Sequence, residues 1–226
     1  KPDRRQRQMC IRDRLYCIDC IYNYNTIMSN QPPRIETWFP KTVYIRDEVC
    51  LDLLPELEKK CKKLETERTK AFQVNSSHQT NRLLQKEEVF SELSSAIMDN
   101  FSFYMERLGY CEDYISECFI GNMWTNISNK DDFLFPHSHP GCIMSGAYYV
   151  KTTEENSITF YDEINPAFEP PKYNNPLNWS TTNYPCVPAR LLMFRSNLIH
   201  GTTRQEEEGE KIVISLNIVK ALRELT

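Results

Sequence analysis

Residues 137–162 read HSHPGCIMSGAYYVKTTEENSITFYD. His137 and His139 stand two apart, the spacing at which side chains on a strand share a face. Behind them SGAYYVK (145–151) and SITFYD (157–162) read as two strands, rich in β-branched and aromatic residues and separated by a polar turn. The chain has four histidines, and a third, His200, ends the apolar run that begins Leu191-Leu192-Met193-Phe194. It stands at a strand end before Gly201, placed to close a site from a neighbouring strand. Three imidazoles aimed at one point suit Fe, Zn, Cu or Ni. The stretch therefore predicts a metal enzyme on a β-barrel-like core.

Working outward, Arg190–Ile199 and Lys211–Val219 read as further strands, joined through the acidic turn EEEGE (206–210). Tyr114–Ile127 reads as a strand with Trp124 and Asn126 on one face. Upstream the apolar period lengthens. Phe90, Leu93, Ile97, Phe101, Tyr104 and Leu108 mark one face of a helix, with Gly109 where a C-terminal cap belongs. Leu54, Leu57, Cys61 and Leu64 mark an earlier helix, whose first turn alone accommodates Pro55. VNSSHQTNR (74–82) between them reads as a loop that leaves His78 solvated. Arg34–Arg46 reads as a strand or two, interrupted at Pro40. Helices first and strands afterwards indicate an α+β fold. Its natural form is a double-stranded β-helix, a cupin-like jelly roll with the N-terminal helices packed outside. Between Asn165 and Pro188 lies a segment with six prolines. It reads either as a lid over the barrel mouth or as a plain surface loop.

The 226 residues suffice for one domain with a sizeable core. A net charge of −4 gives no general field for nucleic acid or an anionic membrane. No stretch approaches the apolar length of a membrane span, and no secretion signal is evident. The nine cysteines are scattered and odd in number, which indicates reduced thiols in a cytoplasmic setting. Residues 1–30 differ from the rest. KPDRRQRQMCIRDR (1–14) looks like translated adapter or untranslated sequence, with Met28 as the initiator; a basic targeting or nucleic-acid arm is the alternative. The Cys17–Cys20 pair lacks the partners of a zinc site. The expected organisation is a non-native or disordered extension over 1–30 and one domain over 31–226.

The ordered set of Trp124 and Asn126, His137 to Pro140, Ser145 to Tyr149, Phe160 and Asp162, Phe194 to His200, and Lys211 to Asn217 resembles the 2-oxoglutarate and Fe(II)-dependent oxygenases. It looks closest to phage and marine bacterial members. The resemblance runs over about residues 34–220. It implies a double-stranded β-helix that holds Fe(II), takes 2-oxoglutarate as cosubstrate and uses O2. The reaction it implies couples release of succinate and CO2 to hydroxylation of a C–H bond.

One departure concerns the metal. The superfamily's usual triad is two histidines and a carboxylate written H-x-D, but here the third position of the triplet is His139. Either His137, His139 and His200 ligate together, or one of the pair acts with Asp162. A second departure concerns the cosubstrate, whose far carboxylate meets an arginine in the family. Here Lys211 keeps the charge without the bidentate fork, and Arg204 competes for the role. The resemblance adds Tyr149, Ser145 and Asn217 as polar cosubstrate contacts. Phe133, Phe135, Ile143 and Trp124 are candidate cavity-lining residues.

Two other classes remain in view. A cupin-type metalloenzyme without 2-oxoglutarate shares H-x-H and a later histidine, but PGCIMSG (140–146) lacks the usual cupin glutamate. A non-catalytic jelly-roll binding module would not need the three histidines. The substrate is a small molecule or a protein side chain. Nucleic acid and membrane are not expected partners, and a homodimer is compatible with the sequence.

Overall fold

The protein is described by a computed structural model covering residues 35–37, 39–68, 72–153, 156–162, 171–173 and 175–221. The basic stretch 1–14, the Cys17–Cys20 pair, Met28 and part of the proline-rich segment lie outside the described residues. The unit that carries the site runs Lys41–Thr226.

Three helices are described: α1 (Leu54–Cys61), α2 (Ser91–Arg107) and the short α3 (Glu112–Ser116). The strands are β1 (Val43–Arg46), β2 (Phe72–Gln73), β3 (Asn75–Ser76), β4 (Cys118–Ser128), β5 (Phe133–Leu134), β6 (Met144–Lys151), β7 (Ser157–Tyr161), β8 (Thr181–Pro185), β9 (Leu191–Arg195), β10 (His200–Thr202) and β11 (Lys211–Lys220). The major sheet has the order β1-β9-β6-β11-β4-β3 and the minor sheet β10-β7-β8, every pairing antiparallel. This is the two-sheet core of a double-stranded β-helix.

Strand β11 shows how sequence becomes architecture. Its side chains alternate faces. Ile212, Ile214, Leu216 and Ile218 enter the large apolar cluster beneath the helices. Lys211, Val213 and Ser215 face a cavity between the two sheets. The same alternation sends Tyr148 and Val150 of β6 to the helices, and Ala147 and Tyr149 towards the minor sheet. Polar side chains at alternate positions of otherwise apolar strands are thus the material of the site.

The helices close the outer face. Leu93, Ile97, Phe101, Tyr104 and Met105 of α2 are buried against the sheet, each contributing about 1.5–3 kcal/mol by burial. Gly109, with φ +85°, ends that helix as its sequence position predicts. Pro55 falls in the first turn of α1.

Four local expectations are corrected. Tyr114 lies on helix α3, and the strand starts at Cys118. Glu112 and Asp113 favour the helix by sitting in its first turn. The segment Asn165–Pro188 is not wholly irregular, because β8 forms within it and pairs with β7. Leu191–Arg195 and His200–Thr202 are separate strands in different sheets, so His200 opens a short strand of the minor sheet rather than ending one. His137 and His139 occupy an extended segment joined to β10 by one bridge, not a regular strand.

Candidate metal centre

The extended segment before β6 is held to the minor sheet by backbone hydrogen bonds. The His137 N–H donates to the His200 carbonyl at 2.9 Å, and the His200 N–H donates back to His137 at 2.9 Å. The His139 N–H donates to the Ser196 carbonyl at 2.8 Å. These bonds fix three imidazoles around one point. Ring centroids lie 4.5 Å (His137–His200), 5.0 Å (His137–His139) and 5.2 Å (His139–His200) apart. One ligand atom from each lies within 4.8 Å of the others.

Backbone carbonyls set the tautomers. His137 Nδ1 lies 2.7 Å from the Phe135 carbonyl, and His200 Nδ1 lies 2.8 Å from the Leu198 carbonyl. A carbonyl oxygen only accepts, so each Nδ1 carries a proton and Nε2 is left as the nitrogen that can ligate. Burial, reinforced by His137 and His78, holds His139 down at about 4. Burial and the neighbouring histidines hold His200 down at about 3, against a raising effect of the Leu198 carbonyl. Both are neutral near pH 7, the form that ligates a metal.

Packing supports the imidazoles. Phe194 stands edge-on to His200 at 4.6 Å, and Trp124 lies 6.0 Å from His139. His78 stands edge-on to Trp124 at 4.9 Å and is half-buried. The expectation that His78 is a solvated loop residue is therefore corrected, and the fourth histidine belongs to the surroundings of the site. Gly201 permits the close approach of the His137 segment. A Cβ there would lie 2.8 Å from the Leu134 carbonyl oxygen and 3.2 Å from Pro136 N.

The cavity runs between the sheets from the histidines to Lys211, past Trp124, Asn126, Ser215 and Tyr149. Lys211 is 2% exposed, and its Nζ donates to Asn156 Oδ1 at 2.8 Å. Burial holds the amine below its usual range, while Cys186 and Asp132 act the other way. Asp132 is itself paired with Arg68 at 2.7 Å. A lysine buried beside a neutral amide has the chemistry to bind an anion. Tyr149 is buried in the same region, hydrogen-bonded to Cys186, and burial pushes its phenol well up. Ser145 Oγ donates to Asn217 Oδ1 at 2.8 Å, and both are buried.

Two candidates stand elsewhere. Asp162 follows the last residue of β7 and is half exposed. Its backbone N–H pairs with Ser180 and its carboxylate with Lys41. The strand ends before its side chain can follow Ile158 and Phe160 inward. Arg204 is exposed, lies over the Phe133 ring at 5.2 Å and meets Asp131 at 3.5 Å, so it does not line the cavity. Among the expected lining residues Trp124 faces the cavity, but Leu134 takes the place of Phe133, Phe135 and Ile143. Asn156, Cys186 and Ser215 escaped the sequence reading. Only the alternation along β11 could have pointed to Ser215, four residues from Lys211 on the same face.

Residues 122–217 match the family described as "Putative 2OG-Fe(II) oxygenase". A sequence search of curated proteins finds no match. Three solved structures share the fold. HygX from Streptomyces hygroscopicus with nickel and 2-oxoglutarate bound has a TM-score of 0.58 at 12% identity, covering 80% of this chain and 84% of that one. The non-heme α-ketoglutarate-dependent epimerase SnoN from nogalamycin biosynthesis has a TM-score of 0.59 at 9% identity, covering 80% and 79%. A prolyl-4-hydroxylase from Pseudomonas putida has a TM-score of 0.57 at 10% identity, covering 80% and 94%. The structural likeness establishes the fold. The family match covers the segment that carries the three histidines. Among the described residues no helix is long and apolar enough to cross a membrane.

Proposed function

We propose that His137, His139 and His200 together hold Fe(II), that Lys211 anchors the far carboxylate of 2-oxoglutarate, and that the enzyme hydroxylates a C–H bond. The observation that carries this reading is the juxtaposition along one cavity of three imidazoles and a buried lysine. Three nitrogen donors fit Fe(II), and three ligands leave positions open for cosubstrate and O2. A set without carboxylate leaves the full dipositive charge for the 2-oxoglutarate dianion to neutralise.

Once bound, Fe(II) supplies the oxidative chemistry that converts 2-oxoglutarate and O2 to succinate and CO2 and inserts oxygen into the C–H bond. The protein orients the reactants and excludes water. The Phe135 and Leu198 carbonyls hold the imidazoles in the ligating tautomer. Lys211, released from Asn156, meets the anionic tail of the cosubstrate. Tyr149, turned away from Cys186, donates its hydroxyl near the same carboxylate, while the Ser145–Asn217 pair stiffens the cavity wall. Apolar side chains of Phe194, Ile158 and Val213 keep the space dry. The substrate is a small molecule or a side chain that enters on the side of His137 and His139. The six described cysteines are all unpaired, which supports a reducing, cytoplasmic setting.

The test is an anaerobic Fe(II) titration with and without 2-oxoglutarate, following the weak visible charge-transfer band of the chelate. A band that needs both components and is lost in His200→Ala supports the reading. Iron binding without a band would favour a metalloenzyme that does not use 2-oxoglutarate, and no iron binding would sink the assignment.

A further inference from the structure

The three imidazoles of the cluster are not held in the same way. Backbone carbonyls meet the rings of His137 and His200, whereas among the described residues His139 bonds only through its backbone, to Ser196 and Cys142. A ligating histidine is normally oriented by an acceptor that takes its outer N–H. At His139 ring packing has to do this instead. Of the rings that meet it, two belong to the cluster itself, and the third is Trp124, 6.0 Å away and tilted by 58°. Among the described residues the indole meets one other ring, His78, at 4.9 Å and nearly perpendicular. That edge-to-face geometry is the favoured one for two rings.

The loop that carries His78 is built to place it. The Ser77 N–H donates to the Thr125 carbonyl at 3.0 Å, and Ser77 Oγ accepts from the Thr125 N–H at 3.1 Å. Ser77 thus takes both backbone groups of the residue next to Trp124, and His78 follows one position along. The loop then closes on itself. The Asn81 N–H donates to the Ser77 carbonyl at 2.7 Å, Ser77 Oγ donates to the Asn81 carbonyl at 2.9 Å, and the His78 N–H donates to Ser76 Oγ at 3.2 Å. Small hydroxyl and amide side chains bond to nearby backbone in this way, and the polar run SSHQTN makes a fixed platform of them.

We propose that His78 is a positioning residue for His139: through the Trp124 ring it fixes the one imidazole of the cluster that no acceptor orients. This rests on the reading of the three histidines as the iron site. It gives the N-terminal loop, distant in sequence from the cluster, a part in setting the geometry of that site.

The test uses the full chain with Co(II), whose visible d–d bands report the number and kind of donors, beside an anaerobic Fe(II) titration. His139→Ala supplies the spectrum of a site with two histidines. His78→Ala is expected to bind Fe(II) and Co(II) about tenfold more weakly, as for loss of an outer support of a metal site, and to move the Co(II) bands towards those of His139→Ala. His78→Phe, which keeps a ring beside the indole, is expected to hold both affinity and bands near wild type. Lower thermal stability of His78→Ala with wild-type bands and affinity would make His78 a packing residue only and overturn the proposal. A His78→Phe no better than His78→Ala would overturn it too. If His78→Ala does not fold, Trp124→Phe is read in its place, and wild-type bands and affinity there count against the proposal. Failure of the wild-type chain to bind either metal overturns the iron reading as well, whereas wild-type binding with unmoved bands in the variants overturns this proposal alone.

Discussion

His137 and His200 exchange both of their backbone hydrogen bonds, each at 2.9 Å, so the two imidazoles are fixed by one antiparallel bridge. The bridge depends on Gly201, against which the Leu134–Pro136 backbone packs too closely for any Cβ. Gly201→Ala should push that segment away and spread His137 from His200. The expected result is at least about tenfold weaker Fe(II) binding, with a stability loss of about 1–3 kcal/mol from overpacking. Isothermal titration with Fe(II) and urea denaturation would measure the two effects. Unchanged iron affinity would mean that the bridge does not set the ligand geometry.

Asp162 was the sequence's alternative to an all-histidine set. Its pairing with Lys41 at the surface separates it from the cluster. Asp162→Ala is therefore expected to bind Fe(II) as wild type does, and to cost at most about 1 kcal/mol as an exposed ion pair. His139→Ala, by contrast, should abolish tight iron binding. If the two variants exchanged phenotypes, Asp162 would be the ligand, and β7 would have to extend and turn its end inward on metal binding.

The contrast between these residues explains what could be read in advance. Period-2 and period-3.6 apolar patterns exposed the jelly-roll core and both long helices, because burial of one face leaves its trace in the chain. The i, i+2 histidines and His200 were legible for the same reason, although their backbone turned out to be a bridged segment rather than a strand. Asp162 misled because alternation says nothing about where a strand stops. Asn156 and Cys186 were silent because their roles arise from contacts between distant segments, with Lys211 and Tyr149. His78 was misread because nothing in a polar loop announces the Trp124 ring it meets.

Lys211 offers a sharper test of the cavity. It is buried against a neutral amide, so its charge is costly until an anion arrives. Lys211→Met should keep the fold at no loss of stability, and should bind Fe(II) normally. Its affinity for 2-oxoglutarate should fall by about 10- to 100-fold, the worth of a hydrogen bond to a charged group. Lys211→Arg has the charge and a longer fork, but must displace Asn156, so partial rescue is the expected outcome. Arg204→Ala, at the exposed surface, should leave the 2-oxoglutarate Kd unchanged. A large effect of Arg204→Ala with none of Lys211→Met would reassign the anchor.

The histidine cluster also predicts how stability of the metal-free protein follows pH. His139 is held at about 4 and His200 at about 3 in the folded state, both because burial disfavours the imidazolium, against about 6.5 in an unfolded chain. Between these values the unfolded chain binds more protons than the folded one, so stability falls as pH falls. The contribution is complete above about pH 6.5 and is progressively lost through the window down to about 4. Asp47 and Glu58, whose carboxyls are held low by Arg190 and by Lys62 and Lys151, act in the same direction but only below the ordinary carboxylate range. Comparing urea midpoints of chelator-treated protein at about pH 7 and about pH 5 therefore isolates the histidines. His200→Gln should show a shallower slope than wild type over that interval, even if its stability at neutral pH is lower. Equal slopes would mean that His200 is already accessible to protons in the folded protein, and that the site is wetter than its packing against Phe194 implies.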